Sequence, residues 1–358
     1  MSLLPSASSR PSLRGWSLGL AFALSVGTSG CASWRDALFG FGDLENDPQA
    51  LHESARADIE AGEGAETDLD RAAQGVRKLR RLQTLYPDYG RPEDLDFLMV
   101  RGRFAAEEHE RAFALAKAYL EKYPLTRQVQ LERLLYDKGR ALLATPENGL
   151  PFRQSDEVGA TILEFLSTSF PSSSEVVPDA LRLLADWHYG RDEYGEALLS
   201  YARLVDTQLP NAWTDLARYR IPLCLLRASE ASDRDSKALW FAKEANLARD
   251  DEDGLTLAAR LLRDYLEGAA PGGEPPAFTA LAQRSLLIAE RMQGERERGM
   301  QLFYARVGNA PGRDLHRARA EAHEQQALRI EQSLAPGELF GPPAPTRGTG
   351  GVAPEAGS

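Results

Sequence analysis

The sequence predicts an all-α protein built from stacked helical hairpins. Three observations carry this: apolar residues recur at i, i+3, i+4 and i+7, no stretch alternates with period two, and aromatic–proline or leucine–proline dipeptides close successive segments at intervals near one hairpin. With 358 residues, 43% of them apolar and 27% charged, the chain can bury a sizeable core.

The first segment to explain is the N-terminus. Residues 1–16 lack acids and carry Arg10 and Arg14, and the apolar run Leu18 to Val26 follows. A run of about 9 residues is far short of the roughly 20 that span a bilayer, so residues 1–30 read as a cleaved signal peptide. Thr28-Ser29-Gly30-Cys31-Ala32 then resembles the lipobox of bacterial lipoproteins, in which the cysteine takes the lipid; Thr28 departs from the usual leucine. The resemblance makes Cys31 the lipidation site, and buried acyl chains contribute about 0.8 kcal/mol per methylene, enough together to anchor a polar protein. Ala32 stands where aspartate would retain an enteric lipoprotein at the inner membrane, so the resemblance implies the outer membrane, facing the periplasm. Residues 31–46 form the lipidated linker.

Four closures follow, Tyr86-Pro87, Tyr123-Pro124, Phe170-Pro171 and Leu209-Pro210, spaced by 37, 47 and 39 residues. A residue before proline is pushed out of the α region, so each marks a helix end. The excess in the middle interval is a loop-rich insertion around Pro146, Asn148 and Pro151. Leu95, Leu98, Met99 and Gly102 pair with Ala112, Ala116, Tyr119 and Tyr123 as one hairpin; Leu131, Leu134 and Leu135 pair with Ile162, Leu163, Phe165 and Leu166 as the next.

Leu184, Ala185, His188, Tyr194, Ala197, Tyr201 and Leu204 form the clearest unit. Their order resembles the tetratricopeptide repeat, which implies repeat-packing roles for Leu184, Ala185, Tyr194, Ala197, Tyr201 and Leu204. Repeats of this kind are expected over residues 47–228. Further hairpins are expected over 229–334: Leu239–Leu247 with Leu255–Leu266, then Ala280–Met292 with Met300–Val307. A polar capping helix from Asp314 to Leu334 would use Leu315, Ala318, Ala322 and Leu328 as its thin buried stripe. Residues 335–358 hold five prolines and six glycines, a composition that reads as a disordered tail.

Cys31 followed by Ala112-Phe113-Ala114-Leu115-Ala116-Lys117-Ala118-Tyr119-Leu120-Glu121-Lys122-Tyr123-Pro124, by Leu131 to Leu143 with Gly139, and by Tyr194-Gly195-Glu196-Ala197 resembles the D subunit of the β-barrel assembly machinery. That resemblance, over residues 47–228, implies a tetratricopeptide superhelix at the outer membrane. It would bind the barrel-inserting subunit and unfolded outer-membrane proteins and perform no chemistry.

Other function classes fit poorly. Removing residues 1–30 takes the net charge from −11 to −13, which disfavours nucleic acid. His52-Glu53 and His323-Glu324 each lack the second histidine of a zinc motif, and His316 and His323 are too far apart to share an ion alone, so neither metal nor cofactor is expected. Gly348 to Ala353 mimics a dinucleotide glycine pattern without strand or helix around it. Glu107-Glu108 and Asp250-Asp251-Glu252-Asp253 read as solvated charge, and Cys224 as a small buried hydrophobe. The alternatives are a tetratricopeptide lipoprotein coordinating cell-wall synthesis, division or secretion, and a wall-cleaving lytic enzyme, for whose catalytic domain the hairpins leave no room.

Overall fold

The computed structural model describes residues 47–64, 68–144, 155–207, 212–230, 237–249, 251–268 and 276–334. The signal peptide, Cys31, the linker 31–46, the Leu209-Pro210 closure, the insertion at Pro146 and the tail 335–358 lie outside them. The described residues form thirteen helices and no strand. In chain order these are α1 (Pro48–Glu63), α2 (Leu69–Leu85), α3 (Pro92–Ala105), α4 (His109–Lys122), α5 (Gln128–Leu143), α6 (Ser155–Ser169), α7 (Val177–Gly190), α8 (Tyr194–Val205), α9 (Thr214–Glu230), α10 (Lys237–Glu244), α11 (Gly254–Glu267), α12 (Thr279–Arg306) and α13 (Ala310–Ser333).

Local chemistry sets the helix ends. Asp47 accepts from the N–H of Gln49 and Ala50 at the start of α1, Asp68 from Arg71 at α2, and Asp253 from Leu255 and Thr256 at α11. Helices α2, α4 and α6 stop at the residue before Tyr86, Tyr123 and Phe170, as the three described closures require. A second device recurs where α3, α7, α10 and α12 turn back. Glu107, Asp192, Asn246 and Gly308 take φ of 55°, 62°, 56° and 74°. In each turn the following N–H reaches the carbonyl five residues earlier: Glu108 to Arg103, Glu193 to His188, Leu247 to Ala242 and Asn309 to Tyr304. This is the Schellman geometry.

The principal helix contacts all join helices at most three places apart in the chain. Leu51, Ile59, Leu79 and Leu82 form a first core with Leu95, Leu98 and Met99 of α3. The other side of α3, with Phe97, Val100 and Phe104, opens a second core that runs on to Leu334. The expected α3–α4 and α5–α6 hairpins form. The latter crosses closely: a Cβ on Gly159 would stand 2.8 Å from the Gly139 carbonyl oxygen and 2.8 Å from the Leu143 nitrogen.

Three expectations for the C-terminal half are corrected. Leu239–Leu247 and Leu255–Leu266 are not principal partners; α10 packs on α8 and α9, and α11 packs on α9 and α12. Phe241 fills the space above Gly195, which draws α10 onto α8. Ala280–Met292 and Met300–Val307 are not a hairpin but one helix of 28 residues, which pairs with α13. Finally, Leu315 and Leu328 are 50% and 54% exposed and Ala318 and Ala322 also face solvent, while Ala320, Ala327 and Ile330 are buried with His316 and His323 beside them. Polar partners outweigh apolar count here, because α12 buries Glu290 and Glu297 and the histidine face of α13 pairs with both.

Candidate interaction face

The residues for which the sequence implies repeat-packing roles divide by depth. Leu184 and Ala185 of α7 and Ala197, Tyr201 and Leu204 of α8 are buried, whereas Tyr194 is half-buried and meets Tyr189 edge-on with centroids 5.4 Å apart. The one large polar group deep in this contact is the Tyr201 hydroxyl, which donates to Asp186 of α7. Burial, with the Asp186 charge beside it, pushes the Tyr201 pKa well up, so the phenol stays a donor.

That hydrogen bond leads to a row of largely buried side chains. Asp179, Arg182 and Asp186 lie at i, i+3 and i+7 on α7, one face of the helix. Arg182 donates from Nε to Asp179 at 2.8 Å and from Nη1 to Asp186 at 3.0 Å. Its guanidinium lies 4.3 Å from the Trp213 ring centroid, and that of Arg220 on α9 lies 5.0 Å from the Tyr189 ring. Tyr136 of α5 donates to Asp179, joining a third helix to the row. Burial opposes the charge on Arg182 and Arg220, yet the surrounding acids and tyrosines outweigh it and raise both pKa values. The row is therefore a fixed ladder of arginine, aromatic and carboxylate groups, and the Arg220 Nε carries no hydrogen bond within it. The ladder offers shaped contacts of the kind that dominate binding energy.

No family model and no curated protein matches the chain.

Two tryptophans and the histidines take different positions. Trp187 donates to Asp156 at 3.1 Å under the Arg191 guanidinium, while Trp240 is 62% exposed. His316 and His323 each pair with their own carboxylate, Glu297 at 2.5 Å and Glu290 at 2.7 Å, rather than with one another. Among the described residues no three His, Cys, Asp or Glu side chains converge. Cys224 is fully buried, and burial pushes its thiol pKa up. Two of the charge clusters are more than solvated faces, which corrects that expectation. Glu108 pairs with Arg103; Glu252 is buried, clamping Arg260 at 2.9 and 3.0 Å, while Asp253 caps α11 and pairs with Arg296 at 3.0 Å. The ladder is not legible in the sequence because its members come from three helices, Tyr136 of α5, Asp179 and Arg182 of α7 and Arg220 of α9, with Trp213 in the turn before α9; only the α7 spacing signals it.

Proposed function

We propose that the chain is a non-catalytic protein-interaction scaffold, anchored to the outer membrane through a lipidated Cys31 and acting in outer-membrane β-barrel assembly. The observation that carries the binding role is the Tyr136–Asp179–Arg182–Trp213–Arg220 ladder. Arginine, tryptophan and tyrosine are the residues enriched where interfaces gain most of their energy, and here they are held in place before any partner arrives. Packing of each helix on its chain neighbours supports a tetratricopeptide-like superhelix, whose concave side would receive a helix or an extended segment. No described helix is long and apolar enough to cross a membrane; the lipobox resemblance at residues 28–32 supports Cys31 as the anchor.

Depletion of the protein in its native cells tests this reading. Several unrelated outer-membrane barrels should fall together, the barrel-inserting subunit should copurify, and Arg182→Ala/Trp213→Ala should abolish that copurification. Cys31→Ala should leave the pellet fraction or remain unprocessed. Normal barrel levels with division or cell-wall defects would replace this role by the coordinating one.

A further inference from the structure

We propose that the end of the α12–α13 hairpin is a second membrane contact, one that seats on an anionic phospholipid surface. Helix α11 covers one side of α12 only as far as its own N-terminus, where Gln293 donates to the Leu255 carbonyl at 3.2 Å and Arg296 pairs with Asp253 at 3.0 Å. Beyond Arg296, α12 continues to Arg306. Met300, Phe303 and Val307 follow at helical spacing on the side that Gln293 and Arg296 present to α11, and they are 38%, 53% and 58% exposed. Leu302 and Leu315 add 59% and 50% exposed side chains at the same end.

Charge selects the occupant. Residues 299–319 hold four arginines and one aspartate, a net charge of +3 in a chain whose total is −11. Arg313 and Arg317, 40% and 49% exposed, share the single carboxylate of Asp314, each at 2.9 Å, and Arg306 is exposed. Guanidinium groups match phosphate oxygens in a bidentate fork, and arginine interleaved with large apolar side chains is the composition of interface-seated helices. The distribution also favours lipid over a protein groove. At about 100° per residue Leu302 lies roughly 140° around α12 from Val307, so apolar groups flank the tip on two sides, which a bilayer interface covers and one protein face does not. The contact is independent of lipid on Cys31.

The test uses the full chain carrying Cys31→Ser, so that no acyl chain is attached, sedimented with phosphatidylcholine vesicles with or without phosphatidylglycerol. Binding is expected to the mixed vesicles and to be at least about tenfold weaker to phosphatidylcholine alone. Leu302→Glu/Phe303→Glu should weaken it by about tenfold or more, and Arg306→Gln/Arg313→Gln/Arg317→Gln should remove the dependence on phosphatidylglycerol. Should the first pair lose helicity by circular dichroism, Met300→Gln/Val307→Gln takes its place with the same expected loss. Binding of the tip variants equal to the parent overturns the proposal, since residues 1–46 then carry any adhesion. Equal binding to both vesicle types, or binding to neither, overturns it as well; a protein then crosslinked specifically at residue 303 would make the tip a protein contact.

Discussion

Glu290 shows how one buried charge organises its surroundings. It is 1% exposed and accepts from Arg263 at 2.6 Å and pairs with His323 at 2.7 Å, so α11 and α13 both close on α12 through it. Removing one partner of such a cluster strands the others, and Glu290→Ala should cost about 2–4 kcal/mol, read as a lower urea midpoint. Asp137→Ala breaks an exposed pair with Arg133 at 3.7 Å and should change stability by less than about 0.5 kcal/mol. Glu252 adds a pH dependence. The hydrogen bond from Arg260, together with the Arg249 N–H, overcomes burial and holds its pKa below the ordinary value of 4.5. A depressed folded-state pKa stabilises fully above the unfolded value and is lost as pH falls through the folded one. Unfolding measured across acid pH should therefore show stability declining from 4.5 downward, and Arg260→Gln should flatten that slope.

At the scale of the element, the helix stops were legible where proline writes them and hidden where conformation alone does. Tyr86-Pro87, Tyr123-Pro124 and Phe170-Pro171 mark real ends. The four left-handed turns after α3, α7, α10 and α12 were not legible, because glycine occupies only one of them and Glu107 gives no composition signal. Glu107→Gly should relieve the left-handed strain and raise stability by about 1 kcal/mol, measured as a higher melting temperature. Gly159→Ala should do the reverse, losing about 1–3 kcal/mol, because the new methyl would press on the backbone of α5 at 2.8 Å. A gain in melting temperature for Gly159→Ala would show that α5 and α6 do not cross there. The continuity of α12 runs through Gly294 and Gly299, each of which a helix interior tolerates at a cost of about 1 kcal/mol.

Across the molecule, the proposed superhelix would extend as it grows, because its helices contact others at most three places away in the chain. Spin labels at the exposed positions Arg56 of α1 and Leu328 of α13 should therefore lie more than about 40 Å apart, some four helix diameters, by pulsed electron resonance. A distance near 20 Å would mean that the ends close on each other and would remove the superhelical reading.

The amino-acid sequence by itself determined the helical class, the three described proline-closed helix ends and the buried positions Leu184, Ala185, Ala197, Tyr201 and Leu204, because helical periodicity and proline stereochemistry act within a few residues. Only the tertiary structure decided that α10 joins α8 rather than α11, that α13 turns its histidines inward and its leucines outward, and that Arg182 meets Trp213 while Arg220 meets Tyr189. Each of those outcomes depends on which helix supplies the partner for a buried charge or an uncovered ring, and no local pattern encodes a neighbour dozens of residues away.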